Sequence, residues 1–136
     1  MQNHFFIRIN GKYLRINITE ILYVEGCKNY IKIVTEKKTH LVLITMKRME
    51  QLLPIAFFRR IHKSFIVSLD RIIGFDGSIV YLKEQELPIG QQYKGELEKA
   101  VTIFSDLVNE PIPVNTFYAA PLMINGKRKN SFFEAG

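Results

Sequence analysis

The chain opens with the alternation of hydrophobic and polar residues that is typical of β-strands. Phe5, Ile7 and Ile9 occupy alternate positions, so an extended strand would place all three on one face. Asn10 and Gly11 follow, a pair that favours a tight hairpin turn, and the alternation resumes over 12–17. These features predict an N-terminal β-hairpin.

The next segments predict a meander of strands and then a short helix. Residues 21–26, 29–36 and 39–44 are rich in β-branched and aromatic residues and are separated by short polar turns. Over 46–53 the apolar residues recur instead at spacings of three and four, which is typical of an amphipathic helix. Thr45 is a favourable N-cap for this helix, and a proline follows its end.

The second half of the chain predicts more short strands and a second helix. Asp76 and Gly77 favour a hairpin turn between two of the strands. Beyond Asn109 no period is visible, so we interpret 1–108 as one mostly β domain and 109–136 as a C-terminal tail without an assigned element. The predicted strands are 63–69, 71–75, 79–83 and 86–90, and the predicted helix is 91–108.

Length and charge narrow the class of protein. A chain of 136 residues accommodates one ordinary domain, and its 47% of hydrophobic residues exclude disorder throughout. The formal net charge is +6, and residues 1–100 carry the whole excess, with 16 basic against 10 acidic residues. A basic domain favours an anionic partner, with nucleic acid first and acidic lipid second.

The cysteine content and the hydropathy pattern favour a cytoplasmic protein. Cys27 is the single cysteine, which excludes an intramolecular disulfide framework and a Cys-rich zinc site. The longest apolar runs, such as 52–58, are far shorter than the ~20 residues that a membrane-spanning helix needs. The first residues also lack the pattern of a signal peptide. We therefore expect no membrane partner.

The patterns of the common enzyme classes are missing from the sequence. It contains no Gly-rich phosphate loop, no HExxH or GxSxG motif, and no His or Cys pair at metal spacing. Cys27 and His62 could form a thiolate–imidazole pair, but no third group that would orient them is evident. We expect no catalysis, no metal and no cofactor, and we keep a cysteine-dependent enzyme as the third interpretation.

Basic and amide side chains collect instead at predicted turns. In 26–32 a turn presents Lys28 and Asn29 beside Tyr30, and such groups can contact phosphates, base edges or the thymine methyl group. The alternative there is a solvated hairpin turn. In 87–99 two glutamines at the start of the second helix could read adenine, and simple helix capping is the alternative.

The densest basic block lies in 57–67. Because four such side chains are costly to bury together, they should project from the surface, where phosphate oxygens are natural partners. The alternatives are a charged edge that prevents strand pairing, and ion pairs with Glu50 or Asp70. The members of the block are Arg59, Arg60, His62 and Lys63.

Four segments together resemble the LytTR-type DNA-binding domain over about residues 5–102. They are ILYVEGCKNYIKI, TMKRMEQLLP, FFRRIHKSFIVSLDRI and LPIGQQYKGEL, in the order and spacing of that family. The resemblance implies an elongated, mostly β structure of about ten short strands, whose loops enter successive major grooves and bend the duplex. It also implies a bacterial transcription regulator of the response-regulator type.

The resemblance implies double-stranded DNA as the partner. The chain is then either the effector part of a response regulator, with a receiver domain or sensor kinase pathway outside this chain, or a stand-alone regulator. A homodimer on DNA fits the limited specificity of one small module. The runner-up interpretation is a small β-barrel that binds a protein or a ligand. The expected base-reading residues are Asn29, Tyr30, Lys63 and Gln91, and the expected phosphate contacts are Lys28, Lys47, Arg48, Arg59, Arg60, His62, Gln92 and Lys94.

Overall fold

The computed structural model describes residues 3–105, and the predicted tail 109–136 lies outside them. The described part contains ten strands, two α-helices and three 3₁₀ turns, which confirms the predicted mostly β fold. The strands are β1 His4–Ile9, β2 Lys12–Asn17, β3 Ile21–Cys27, β4 Tyr30–Thr35, β5 Thr39–Val42, β6 Phe58–His62, β7 Phe65–Ser68, β8 Gly74–Phe75, β9 Ile79–Tyr81 and β10 Glu86–Pro88. The helices are α1 Met46–Leu52 and α2 Lys94–Ala100, and the 3₁₀ turns are Ile18–Glu20, Leu69–Arg71 and Gln91–Tyr93.

A five-stranded antiparallel sheet forms the centre of the domain. Its strand order is β5-β4-β3-β7-β6, so β3 pairs with both β4 and β7. Strands β1 and β2 form a separate hairpin, and β8, β9 and β10 form a three-stranded sheet with β9 in the middle. Pro88 lies in the edge strand β10, as the sequence predicts, because a central strand would need its missing N–H.

Two hydrophobic cores cover the two faces of the central sheet. Consecutive residues of one strand enter opposite cores, as Ile66 and Val67 of β7 do. The first core joins the sheet to the β1–β2 hairpin and α1, and the second joins it to the β8–β10 sheet and α2. The first consists of Ile7, Ile16, Ile21, Val24, Ile31, Ile33, Met49, Leu53, Phe58 and Ile66, and the second of Ile61, Val67, Val80, Leu82, Leu87 and Leu97.

The predicted hairpin turns are present and are specified by local chemistry. Asn10 and Gly11 both have positive φ angles, 52° and 76°, which suit the twist of the flanking strands. The Asp76 carboxylate accepts hydrogen bonds from the backbone N–H groups of Ser78 and Ile79, each 2.8 Å long. Partial burial raises the pKa of Asp76, but these two bonds and one from the Tyr81 hydroxyl outweigh it and lower the pKa below its usual value.

Three predicted elements differ from the structure. The predicted strand 71–75 is reduced to β8 Gly74–Phe75, because Arg71 belongs to the 3₁₀ turn Leu69–Arg71. The sequence predicts one strand over 63–69 after the charged residues of the basic block. In the structure most of the block is itself a strand, β6 Phe58–His62, and the chain turns at 63–64 before β7 begins. The second helix is also shorter than the predicted 91–108. It ends at Ala100, and Val101 takes an extended conformation with φ −121° and ψ 160°. Three β-branched residues follow Ala100 and disfavour continuation of the helix.

Candidate nucleic-acid interface

Two turns lie side by side at one end of the five-stranded sheet. Lys28 and Asn29 connect β3 to β4, and Lys63 and Ser64 connect β6 to β7. Because β7 runs antiparallel beside β3, its first residues lie next to the last residues of β3. The backbone N–H of Gly26 donates to the carbonyl of Ser64 at 2.8 Å, which ties the two turns together.

The start of α1 lies at the same end of the sheet. A Cβ atom added to Gly26 would come within 2.6 Å of Met46 Cγ, so the helix packs directly on the glycine backbone. The Thr45 hydroxyl accepts from the backbone N–H of Arg48 at 3.1 Å and caps α1, as the sequence predicts. Lys47 and Arg48 are exposed in the first turn of α1, directly after Met46, which packs on Gly26.

The third predicted contact segment joins this group through β6. The backbone N–H of Gly90 donates to the carbonyl of Ile61 at 2.7 Å, and a Cβ atom added to Gly90 would lie 3.6 Å from His62 Cα. The segment is therefore placed along the outer edge of β6, next to the turn at 63–64. We call residues 28–29, 63–64 and 90–92 the turn row.

Side-chain contacts of β6 hold the central turn of the row in shape. The Arg60 guanidinium donates to the carbonyl oxygens of His62 and Lys63 and to the Glu50 carboxylate at 3.1 Å. It also lies 6.0 Å from the centroid of the Tyr93 ring. Only 17% of the Arg60 side chain is exposed, so its donors are largely used within the protein. The ion pair with Glu50 was one of the alternatives for the basic block.

His62 supports the same turn from the other side. Its Nδ1 accepts from the backbone N–H of Ser64 at 3.0 Å, which places the proton of the neutral ring on Nε2. The ring also packs against Phe65, with 5.7 Å between the ring centroids. Arg60 and His62, both predicted as phosphate contacts, thus fix the conformation of the residues around Lys63.

The side chains that point out of the turn row have no such contacts. Lys28, Asn29, Lys63 and Gln91 are exposed, and within residues 3–105 none of their side chains forms a hydrogen bond or an ion pair. Tyr30 follows the first turn and is 37% exposed. The structure therefore brings all four predicted base-reading residues to one end of the sheet, together with the predicted phosphate contacts Lys28, Lys47, Arg48 and Gln92.

Two other predicted phosphate contacts lie elsewhere. Arg59 precedes Lys63 by four residues, which is ~13 Å of extended strand, and its guanidinium donates to the carbonyl of Phe58 at 3.2 Å. Lys94 is exposed, but its ammonium lies over the β8–β9 turn, 3.2 Å from where a Cβ atom of Gly77 would be. Both assignments stay predictions.

The features on which an enzyme would depend are not assembled in the part that the structure describes. Cys27 is half-buried in the last position of β3, opposite Tyr30, and the Nδ1 of His62 already accepts from Ser64. Within residues 3–105 no three His, Cys, Asp or Glu side chains are grouped as a metal site would need. No α-helix in the same range is long and apolar enough to cross a bilayer.

Lys28 carries backbone strain at the tip of the first turn. Its φ angle is 55°, in the left-handed region that favours glycine and asparagine. We expect Lys28→Gly to raise the free energy of unfolding by ~1 kcal/mol, because it relieves the strain. Urea denaturation measures the effect. Lys28→Asn is the matched control and should also stabilise; a variant less stable than the parent contradicts the strain.

The sequence signals found the turns but not the residues that hold them in shape. Gly26 stands out only once Met46 is known to pack on it. In the sequence Arg60 cannot be distinguished from an ordinary surface arginine. Its role is visible only in the structure, where its guanidinium donates to the carbonyl groups of His62 and Lys63. One local signal was available. An arginine that precedes the residues of a turn by two or three positions can donate hydrogen bonds to their carbonyl groups, as Arg60 does to His62 and Lys63.

The comparisons with known proteins agree on one family. The family described as the LytTr DNA-binding domain matches residues 11–102. Over 101 residues the chain is 27% identical to the sensory transduction protein LytT of Bacillus anthracis and 26% identical to that of Bacillus cereus. Each match covers 70% of this chain but 41% of the relative, so the chain spans less than half of their length. A solved LytTr DNA-binding domain from Bacillus cereus has the same fold, with a TM-score of 0.63 and 19% identity over 74% of this chain and 97% of that one.

Proposed function

The chain belongs to the LytTR family of DNA-binding domains, and we propose that it reads duplex DNA through the turn row. The function of the family is DNA binding in transcription regulation. The observation that carries the proposal is that exposed side chains without partners in the described residues converge at one end of the sheet, on turns held by internal contacts.

The spacing of the turns supports this use. The turn between β3 and β4 and the turn between β6 and β7 are offset by two strand positions, which is ~10 Å at the usual spacing of strands. The major groove of B-DNA is ~12 Å wide, so both turns fit into one groove. Entry of the row into successive grooves, which the family resemblance implies, stays a prediction.

The residues of the row divide into two roles by their chemistry. Lys63, Asn29 and Gln91 carry donors on exposed tips and would contact base edges, where amide and ammonium groups discriminate between bases. Lys47 and Arg48 flank the row and would contact phosphates, which sets the position of the domain without reading sequence. We assign Arg60 and His62 to the support of the central turn rather than to the duplex.

The wider regulatory role is part of the same proposal. The relatives are described as sensory transduction proteins and are more than twice as long as the matched region. We propose that this chain is the effector part of a response regulator, controlled by a receiver domain outside these residues or acting alone, and that it binds DNA as a homodimer. The proposal gives the domain no catalytic step.

Salt dependence of DNA binding tests the proposal directly. The affinity for a random-sequence duplex should fall steeply with salt, because bound cations release counterions from phosphates. Lys47→Ala should weaken binding to every duplex alike and reduce the slope of log K against log salt by ~1. Lys37→Ala, in the exposed turn at the other end of the sheet, is the matched control and should leave the slope unchanged. Binding that is absent at low salt would favour the β-barrel interaction module.

A further inference from the structure

The outward face of the β1–β2 hairpin carries a regular pattern of arginines and aromatic rings that the turn row does not use. Phe6 lies opposite Arg15 and Arg8 lies opposite Tyr13 in the strand register. Each guanidinium covers the ring across from it, at 5.7 Å for Arg15 over Phe6 and 5.9 Å for Arg8 over Tyr13. Phe6 and Tyr13 are nevertheless 53% and 70% exposed. We call these four residues the hairpin face.

The charge of this face is uncompensated. The segment 3–17 contains Arg8, Lys12 and Arg15 and no acidic residue. Neither arginine forms an ion pair or a side-chain hydrogen bond within residues 3–105. A guanidinium stacked on a ring keeps its N–H edge available for bidentate bonds, so the face is prepared for an anionic group such as a carboxylate or a phosphate.

The hairpin face and the turn row are different surfaces. Ile7 and Ile16 point from the other side of the hairpin into the first core, so the hairpin is layered on one face of the central sheet. The hairpin face is then directed away from that sheet, whereas the turn row is at the ends of its strands. A ligand of the hairpin face therefore need not compete with DNA.

We propose that the hairpin face docks an extended acidic segment of a partner protein. Arg8 and Arg15 are diagonal neighbours across the two strands, and such positions are ~7–8 Å apart. Carboxylates at alternate positions of an extended chain are ~6.8 Å apart, so two of them match the two arginines. Arginine and large aromatic side chains are also the types that contribute most at protein interfaces, and here they form one contiguous face.

An NMR titration with two synthetic peptides tests this docking. One peptide alternates Glu and Thr over ten residues, and the other has the same composition in two blocks, five Glu followed by five Thr. The alternating peptide should shift the amide signals of residues 4–17 and should bind more tightly than the block peptide. Shifts confined to the turn row, equal binding of the two peptides, or no shifts at millimolar peptide would each overturn the proposal.

Charge variants separate docking from unspecific attraction. R8E/R15E should lower the affinity for the alternating peptide at least tenfold. K37E/K38E changes the net charge by the same amount in the turn between β4 and β5, and it should retain most of the affinity. R8Q/R15Q is the milder variant if the charge reversal impairs folding, and it should also lose the peptide. Equal losses in R8E/R15E and K37E/K38E would reject the hairpin face.

The same variants show whether the face contacts DNA instead. R8E/R15E should bind duplex DNA no more weakly than K37E/K38E does, since neither pair belongs to the turn row. A loss of duplex affinity well beyond that of K37E/K38E would place the hairpin face in the DNA interface and overturn the protein-docking proposal. The proposed reading of DNA by the turn row is independent of this result, because it is tested by Lys47→Ala and the salt slope.

Discussion

Lys63→Ala should lower the affinity for the cognate duplex ~5- to 150-fold, which corresponds to the ~1–3 kcal/mol of a good base contact. The affinity for a scrambled duplex should change much less, because phosphate contacts elsewhere in the interface are retained. The physical reason is that Lys63 is exposed at the tip of a turn that Arg60 and His62 hold in place. Because the backbone of this turn is already ordered, binding costs only the conformational freedom of the lysine side chain itself.

Fluorescence anisotropy with a selected site and with its scrambled version measures the difference. The cognate site comes from selection of bound sequences out of a random duplex pool, which also gives the spacing of half-sites. Lys37→Ala is the control for a lysine in an exposed turn at the opposite end of the sheet. If Lys63→Ala weakens both duplexes equally, Lys63 contacts the phosphates and does not read bases.

The parts of the fold that the sequence predicts correctly depend on short-range patterns. The β1–β2 hairpin follows from alternation around Asn10 and Gly11, and α1 follows from its period and its Thr45 cap. Strand β6 is different, because the register shifts between Arg60 and His62 in its pairing with β7. This bulge interrupts the alternation of hydrophobic and polar residues by which a strand is predicted. The consecutive charges of Arg59 and Arg60 also break that alternation.

The candidate site shows the same division between local and distant information. Each turn of the row contains its own signal, such as Lys28 and Asn29 between two β-rich segments. That the turns are neighbours depends on the pairing of β3 with β7, which brings Glu25 opposite Phe65, and no local pattern contains that information. The family resemblance supplied it, because motifs in a fixed order and spacing imply a known arrangement of strands.

The sequence predicts Arg60 as a phosphate contact, whereas in the structure its guanidinium supports the turn at 63–64. Two variants of Arg60 distinguish these roles. Arg60→Met should lower the free energy of unfolding by ~2 kcal/mol, since it leaves the carbonyls of His62 and Lys63 and the Glu50 carboxylate without their donor. For a domain of this size that corresponds to a melting temperature lower by ~10 °C. The cognate duplex should also bind ~10-fold more weakly, because Lys63 is no longer held at the tip of an ordered turn.

Arg60→Lys separates support of the turn from contact with phosphate. Lysine keeps the charge but lacks the planar fork that reaches two carbonyls and a carboxylate at once. If Arg60 supports the turn, Arg60→Lys should be nearly as unstable as Arg60→Met, and both should keep the salt slope of the parent. If Arg60 contacts a phosphate, Arg60→Lys should retain stability and affinity, and Arg60→Met should reduce the slope by ~1. Thermal denaturation and salt titrations of the same two variants therefore decide whether Arg60 contacts the duplex or supports the turn that carries Lys63.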